Sequence, residues 1–109
     1  MSSWCVIRIP ISKTYKKRPA LVVQGDSLNT GLQQTIVAMI TSNVQRAGPT
    51  RVAVKQHDLP GQMMGLLTDS VIMADNLATV LDREIHKTIG HCPVMHQVDR
   101  ALKLTLGLN

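Results

Sequence analysis

The sequence predicts one small, mainly β domain (α+β) that ends in a helix. Three observations predict it: an apolar, β-branched run at residues 33–42, shorter apolar or alternating runs separated by turn residues on either side, and helical spacing of apolar residues near the C-terminal end. With 109 residues and no Phe, the chain is large enough for one modest core and too small for two. We therefore expect residues 1–109 to form a single domain with an aliphatic interior.

The central element is the run Gln33–Ser42, which we interpret as a buried strand. Its β-branched side chains suit a pleated sheet, and turn residues flank it on both sides. A buried helix is the alternative for so short an apolar run. In a strand, one face carries Thr35, Val37, Met39 and Thr41, and the other carries Ile36, Ala38, Ile40 and Ser42. The hydroxyls of Thr41 and Ser42, at the end of a rigid strand, are candidates for chemistry.

The remaining strands are shorter and are separated by polar segments. We predict strands at Trp4–Ile11, Ala20–Gln24, Thr50–Lys55 and Asp69–Asn76. Residues 12–17 and 57–65 are predicted loops, the first of them basic, and residues 77–85 fit either a strand or the start of a helix. Pro10 indicates a strand end or an edge strand.

Residues 93–108 are predicted to form a helix. Pro93 suits its first turn, and Met95, Val98, Leu102 and Leu106 follow helical spacing. Val94, Leu104 and Leu108 widen the apolar stripe beyond one face. Such a helix packs either on the domain with one side and on a second subunit with the other, or entirely within one subunit.

Positive charge is concentrated in the first half of the chain. The net charge is +5, and residues 1–55 contain a single acid, Asp26, beside Arg8, Lys13, Lys16, Lys17, Arg18, Arg46, Arg51 and Lys55. Such a face attracts polyanions by releasing counterions, so nucleic acid is the leading partner class and an acidic protein segment is second. A merely solvated basic surface is the alternative.

Several classes of protein are disfavoured by the sequence. No apolar run is long enough for a membrane span, and there is no signal-peptide pattern, so we expect a cytoplasmic protein without a membrane partner. Cys5 and Cys92 are expected to be buried thiols. His86, His91, Cys92 and His96 lie close together in sequence, but their spacing matches no zinc motif, so we expect no metal.

Several short motifs fall in an order that resembles the MazF/PemK family of toxin endoribonucleases. They are Arg18-Pro19 followed by ALVV, IVAMITS at residues 36–42, Gly65-Leu66 before Asp69-Ser70-Val71, Ala74-Asp75 followed by Thr79, and Ile89-Gly90 before the last helix. The resemblance implies a small SH3-like β-barrel with short helices, and a homodimer. It also implies cleavage of single-stranded mRNA without a cofactor, and an antitoxin whose acidic tail occupies the RNA site.

The resemblance assigns catalytic roles to Arg18, Thr41 and Asp75. In RNA cleavage by the adjacent 2′-hydroxyl, a guanidinium stabilises the phosphorane oxygens and a strand-end hydroxyl orients one of them. Asp75 or a nearby His is the candidate base, because an Arg side chain is a poor one. Without the resemblance, these residues would be a surface charge, an ordinary strand residue and a turn cap. The expected RNA contacts are Lys16, Lys17, Ser42, Asn43 and Arg51.

Met73 and Ala78 depart from the family pattern, because many relatives carry a basic residue at these positions. The alternative function is therefore a catalytically silent SH3-like module that binds RNA or an acidic antitoxin tail. A DNA-binding regulator is a more distant possibility, for which the sequence contains no helix-turn-helix or finger motif.

Overall fold

A computed structural model describes residues 4–10, 17–25 and 31–108. Six strands form one curled antiparallel sheet in the order β4-β5-β3-β2-β1-β6. The strands are β1 (Cys5–Pro10), β2 (Lys17–Val22), β3 (Gln34–Thr41), β4 (Arg51–Val54), β5 (Ser70–Leu81) and β6 (Lys87–His91); the helices are α1 (Leu59–Met63) and α2 (Met95–Leu106). The predicted mainly β fold with short helices and a C-terminal helix is confirmed, and the barrel takes the form of a half-barrel.

The strand β3 lies in the middle of the sheet, and both of its faces are buried. Ala38 and Ile40 belong to a large core cluster on one face, whereas Val37, with Met39 beside it, belongs to a smaller cluster on the other. The predicted alternation is therefore confirmed. Burial on both sides explains why this run is almost continuously apolar.

The pairing between β3 and β5 contains a wide bulge. Ala38 pairs with Leu77 and Met39 pairs with Met73, so residues 74–76 of β5 have no counterpart on β3. On the other side of β5, the amide of Ala74 still donates to the carbonyl of Thr50 (3.0 Å). The next two residues, Asp75 and Asn76, therefore leave the ladder and can project toward the surface.

The helix α2 covers the larger core cluster. Met95, Val98 and Ala101 are its buried residues, and it contacts β4 and β5. It ends at Gly107, whose φ of 69° is a left-handed conformation that glycine adopts without strain. Leu104, Leu106 and Leu108 remain exposed, so the apolar stripe extends beyond the surface that this subunit covers.

Several elements differ from the sequence-based predictions. The predicted loop 57–65 contains the single-turn helix α1 with Pro60 in its first turn, and the ambiguous segment 77–85 continues β5 to Leu81 before a short 3₁₀ turn at Asp82–Glu84. The strand β6 was not predicted because KTIGH lacks a strong apolar alternation. Among the described strands it lies at the edge of the sheet and pairs with β1 alone.

Backbone contacts hold β6 against the end of α1. A Cβ atom on Gly90 would collide with the carbonyl oxygen of Met63, and one on Gly65 would collide with that of Ile89. Only glycine fits such close backbone approach. Cys5 and Cys92 are buried free thiols, as predicted. Among the described residues, no helix is long and apolar enough to cross a membrane.

Candidate active site

A cavity of about 470 Å³ lies where β2 begins and β3 ends. Its described lining residues are Arg18, Met39, Ile40, Thr41, Ser42, Asn43, Arg46, Met73 and Asn76. Four residues predicted to act on RNA, Arg18, Thr41, Ser42 and Asn43, are thus together in one place. Arg46 and Asn76 were not predicted.

The register of the sheet explains why Arg18 and Thr41 meet. Ala20 of β2 pairs with Met39 of β3, and continuing this antiparallel register by two residues places Arg18 opposite Thr41. Side chains two apart share a face. The strand β2 begins at Lys17, three residues before the predicted start, because the basic residues at 17 and 18 pair with Pro10 and Ile9 of β1.

Thr41 has a hydroxyl that is fixed by the adjacent turn. The amide of Asn43 donates to Thr41 Oγ1 (3.1 Å), and only 8% of the Thr41 surface is exposed. The oxygen is therefore used as an acceptor while its own proton is left to donate. The turn is closed further by Asn43, whose side chain accepts from Gln45 N (3.2 Å) and whose carbonyl accepts from Arg46 N (3.2 Å).

Two guanidinium groups line this cavity. Arg18 and Arg46 are both exposed, and within the described ranges neither side chain has a hydrogen-bond or ion-pair partner. Both charges are therefore available to an anionic ligand. A planar guanidinium can donate two parallel hydrogen bonds to the oxygens of one phosphate.

A second cavity of about 360 Å³ adjoins the first. Arg18, Ser42 and Ile40 line both. Arg8 and Lys17 supply further charge to the second cavity, and its remaining lining is mostly apolar, including Pro19, Leu66, Leu67 and Ile89. Arg18 therefore lies at the boundary between a polar cavity and one with a basic rim and an apolar interior.

Lys17 also contacts a histidine. Its ammonium Nζ lies 2.9 Å from Nδ1 of His86, which is within hydrogen-bond distance. The part of the chain that the structure describes contains no group of three His, Cys, Asp or Glu side chains that could hold a metal ion. Lys16 lies outside the described residues.

Asp75 is held in a network outside the lining of the first cavity. Its carboxylate accepts from Arg51 Nε (3.1 Å) and Nη2 (3.1 Å), and from the Thr50 hydroxyl (3.1 Å). The hydrogen bond from Arg51 is the main cause that lowers the pKa of Asp75 from its ordinary value of 3.8. Proton transfer by Asp75 stays a prediction, as does an RNA contact by Arg51, whose charge already faces this carboxylate.

The two departures from the family pattern occupy different environments. Met73 is 6% exposed and lines the first cavity, whereas Ala78 packs against the smaller core cluster. Neither Arg46 nor Asn76 could have been found from local spacing. The bulge in β5 and the turn after β3 bring them to the cavity, and neither feature has a signature within one strand.

The chain is similar to known proteins over nearly its whole length. The family model for the PemK-like, MazF-like toxin of type II toxin-antitoxin system matches residues 5–106. Endoribonuclease MazF2 of Mycobacterium bovis is 35% identical over 101 residues, which are 89% of this chain and 84% of that protein. Endoribonuclease EndoA of Bacillus subtilis is 34% identical over 94 residues, which are 84% and 77% of the two chains.

Solved structures are also similar to this chain over nearly its whole length. An endoribonuclease in complex with its cognate antitoxin, from a Mycobacterial species, has a TM-score of 0.78 and 27% identity, covering all of this chain and 97% of that one. A MazE–MazF structure from Deinococcus radiodurans has a TM-score of 0.76 at 20% identity, covering 100% and 97%. The second likeness is evidence for the fold alone.

Proposed function

Because the chain belongs to the PemK-like, MazF-like family of type II toxin–antitoxin toxins, we propose that it is a cytoplasmic endoribonuclease that cleaves single-stranded mRNA. Relatives named endoribonucleases, 34–35% identical over most of the chain, support this activity. We propose that the whole chain acts as one toxin domain, that it selects particular RNA sequences, and that it needs no metal.

The reaction we propose is attack of a ribose 2′-hydroxyl on the adjacent phosphate. The new bond forms between the 2′-oxygen and phosphorus, and the bond from phosphorus to the 5′-oxygen breaks. The 2′-hydroxyl gives up its proton and the departing 5′-oxygen takes one up, so the products are a 2′,3′-cyclic phosphate and a 5′-hydroxyl. The protein has to align the strand, move protons and stabilise the charge on the non-bridging oxygens.

Arg18 and Thr41 are the residues we assign to that phosphate. The observation that carries the assignment is their meeting in one cavity, where, among the described residues, the Arg18 guanidinium has no partner and the Thr41 hydroxyl accepts a hydrogen bond without donating one. In this role Arg18 donates to the phosphorane oxygens and Thr41 orients one of them. Arg46, in the same cavity, supplies a second positive charge.

The RNA strand is proposed to run past Arg18 along both cavities. Ser42 lies in both, Asn43 lies in the first and Lys17 in the second, so phosphates on either side of the cut can meet polar or basic groups. The apolar interior of the second cavity suits a nucleobase. Lys16, beyond the described residues, remains a proposed phosphate contact.

We further propose a homodimer and an antitoxin partner. The exposed leucines of α2 offer apolar surface for a second copy. A relative of known structure is described in complex with its cognate antitoxin, and the exposed guanidinium groups of Arg18 and Arg46 suit an acidic tail that competes with RNA. We propose that such a tail keeps the toxin inactive.

The direct test compares Arg18→Ala with Arg100→Ala, which removes the same charge from the exposed side of α2. We expect Arg18→Ala to slow single-turnover cleavage of a mixed-sequence RNA in EDTA by about a hundredfold or more, the scale for loss of one charge-stabilising donor. Arg100→Ala should cut at the wild-type rate. Equal rates for all three proteins would refute the assignment, and activity that requires zinc would refute metal independence.

The second candidate function is a silent RNA-binding or antitoxin-binding module. The observation that favours it is the lining of the first cavity, where the described ionisable side chains are both arginines. On this alternative the wild type binds RNA tightly at low salt but leaves every tested sequence intact. The EDTA assay above distinguishes the two functions.

A further inference from the structure

The ion pair between Arg51 and Asp75 connects two segments that form one wall of the first cavity. Asp75 lies in the bulge of β5 next to Asn76, and Arg51 is the first residue of β4, five residues after Arg46. Asn76 and Arg46 line the cavity, whereas Asp75 and Arg51 do not. The pair therefore lies next to these lining residues but outside the cavity.

The two sides of the Arg51 guanidinium have different acceptors. Nε and Nη2 donate to the Asp75 carboxylate, both at 3.1 Å, while Nη1 donates to the backbone carbonyl of Arg46 at 3.3 Å. Thr50 adds a hydrogen bond from its hydroxyl to Asp75. Because a guanidinium is planar and rigid, the carboxylate that fixes one side of it also fixes the donor that reaches Arg46.

We propose that Asp75 and Arg51 are positioning residues that hold the backbone of Arg46, and so direct the Arg46 guanidinium at the RNA phosphate. This inference rests on the proposed function, and it adds Arg46 as a specific phosphate ligand. Asp75 acts through Arg51 and not as the base. The proposal rests on the bidentate contact from Arg51 to Asp75 and on the separate hydrogen bond from Arg51 to the Arg46 carbonyl. A carboxylate that acted as a base would have to be free to accept a proton from RNA, whereas the Asp75 carboxylate is already occupied by Arg51.

The Arg51–Asp75 ion pair is expected to affect the position of Arg46 more than the stability of the fold. Its side chains are 23% and 33% exposed, and such pairs add little to stability. Its effect on position is different, because an arginine displaced by about 1 Å from a reacting phosphate can lose much of its contribution to the rate.

The test is a double-mutant cycle on single-turnover cleavage. Asp75→Ala, Arg51→Met and Arg46→Ala should each lower kcat/KM by about tenfold, the scale for one displaced charge-assisted hydrogen bond. Adding Arg46→Ala to Asp75→Ala should cause no further loss. Asp99→Ala, which removes an exposed carboxylate of α2, should leave the rate unchanged. Independent, multiplying losses in the double variant would overturn the proposal.

The Arg51→Met variant separates positioning from base catalysis. It keeps the Asp75 carboxylate but removes both of its guanidinium contacts. If Asp75 positions Arg46, both single variants lose rate and their pH–rate profiles keep the wild-type shape. If Asp75 is the base, Asp75→Ala loses the acidic limb while Arg51→Met keeps most of its rate, and the proposal is wrong.

Amide hydrogen exchange tests the same proposal without activity. The amide of Arg46 donates to Asn43, and we expect it to exchange about tenfold faster in Asp75→Ala and in Arg51→Met, but not in Asp99→Ala. If the wild type cuts no RNA but exchange rises in this way, the proposed function fails and the positioning of Arg46 stands. Unchanged exchange overturns the positioning, whatever the activity.

Discussion

Replacing Thr41 with valine removes one hydroxyl from the site while keeping the shape of the side chain. In the structure this oxygen accepts from the Asn43 amide at 3.1 Å, and its proton is available to a phosphate. Thr41→Val therefore removes two interactions. One holds the turn at residues 43–46 in the free protein, and the other is made only when RNA is bound.

The two losses have different sizes and different readouts. The lost turn hydrogen bond should lower the free energy of unfolding by about 1 kcal/mol, rising to about 3 kcal/mol if the Asn43 amide is left without water. The loss of the phosphate contact should slow cleavage by about a hundredfold. Because the turn hydrogen bond exists without RNA, urea denaturation measures the first effect alone, and single-turnover cleavage measures the second.

Thr41→Ser is the matched control. It keeps the hydroxyl and removes a methyl group, which should cost about 1 kcal/mol of stability because Thr41 is nearly buried. Its cleavage rate should stay within a few-fold of the wild type. The reasoning is refuted if Thr41→Ser and Thr41→Val lose the same rate, since shape and stability, and not the hydroxyl, would then explain the effect.

Three further outcomes are expected. RNA affinity should fall about 50-fold between 50 and 200 mM salt if each of four basic residues contacts a phosphate, namely Lys16, Lys17, Arg18 and Arg46. Fluorescence anisotropy with a strand that cannot be cut measures this affinity. An affinity independent of salt would contradict these contacts. Wild type should be more stable than Asp75→Ala by at most about 1 kcal/mol, because the ion pair is so exposed. This difference should be constant from neutral pH to near 3.8 and disappear in stronger acid, because the pKa of Asp75 is lowered in the folded state and its contribution is lost as the pH falls through that lowered value. Denaturant titrations at pH 7 and pH 3 that give equal differences would be inconsistent with this. Sedimentation at micromolar concentration should show a dimer that weakens when Leu104 and Leu108 are both changed to serine, whereas a monomeric wild type would exclude the α2 interface.

The parts of the fold that depend on local pattern were predictable. The buried run at 33–42 and the helical spacing after Pro93 are set by which faces are apolar, and both elements form where expected. The helix α1 was missed because Pro60 and Gly61 resemble loop residues, although proline is tolerated in a first turn. The strand β6 depends on pairing with β1, about 80 residues away in sequence, and local composition does not report such pairing.

The site was predictable to a similar extent. Arg18 and Thr41 followed from the family resemblance, and the register of β2 and β3 supplies the physical reason for their meeting. The partner of Asp75 was not predictable, because Arg51 reaches it across neighbouring strands at a bulge that shifts the register by three residues. The excess of basic residues in the first half of the sequence predicts that Arg51 contacts RNA. The three-dimensional contacts show instead that Arg51 is paired with the Asp75 carboxylate.

The bulge in β5 contains residues that are not needed for pairing with β3. Met73 and Leu77 pair with adjacent residues of β3, so the ladder is continuous on either side of the bulge and does not use the side chains of Asp75 and Asn76. Substitutions at Asn76, which lines the first cavity, can therefore change which groups face the RNA without changing the register of any strand. For engineering, this makes the bulge a place where base selectivity could be varied on a fixed scaffold, whereas equivalent changes at Val37 or Ile72 would disturb the core.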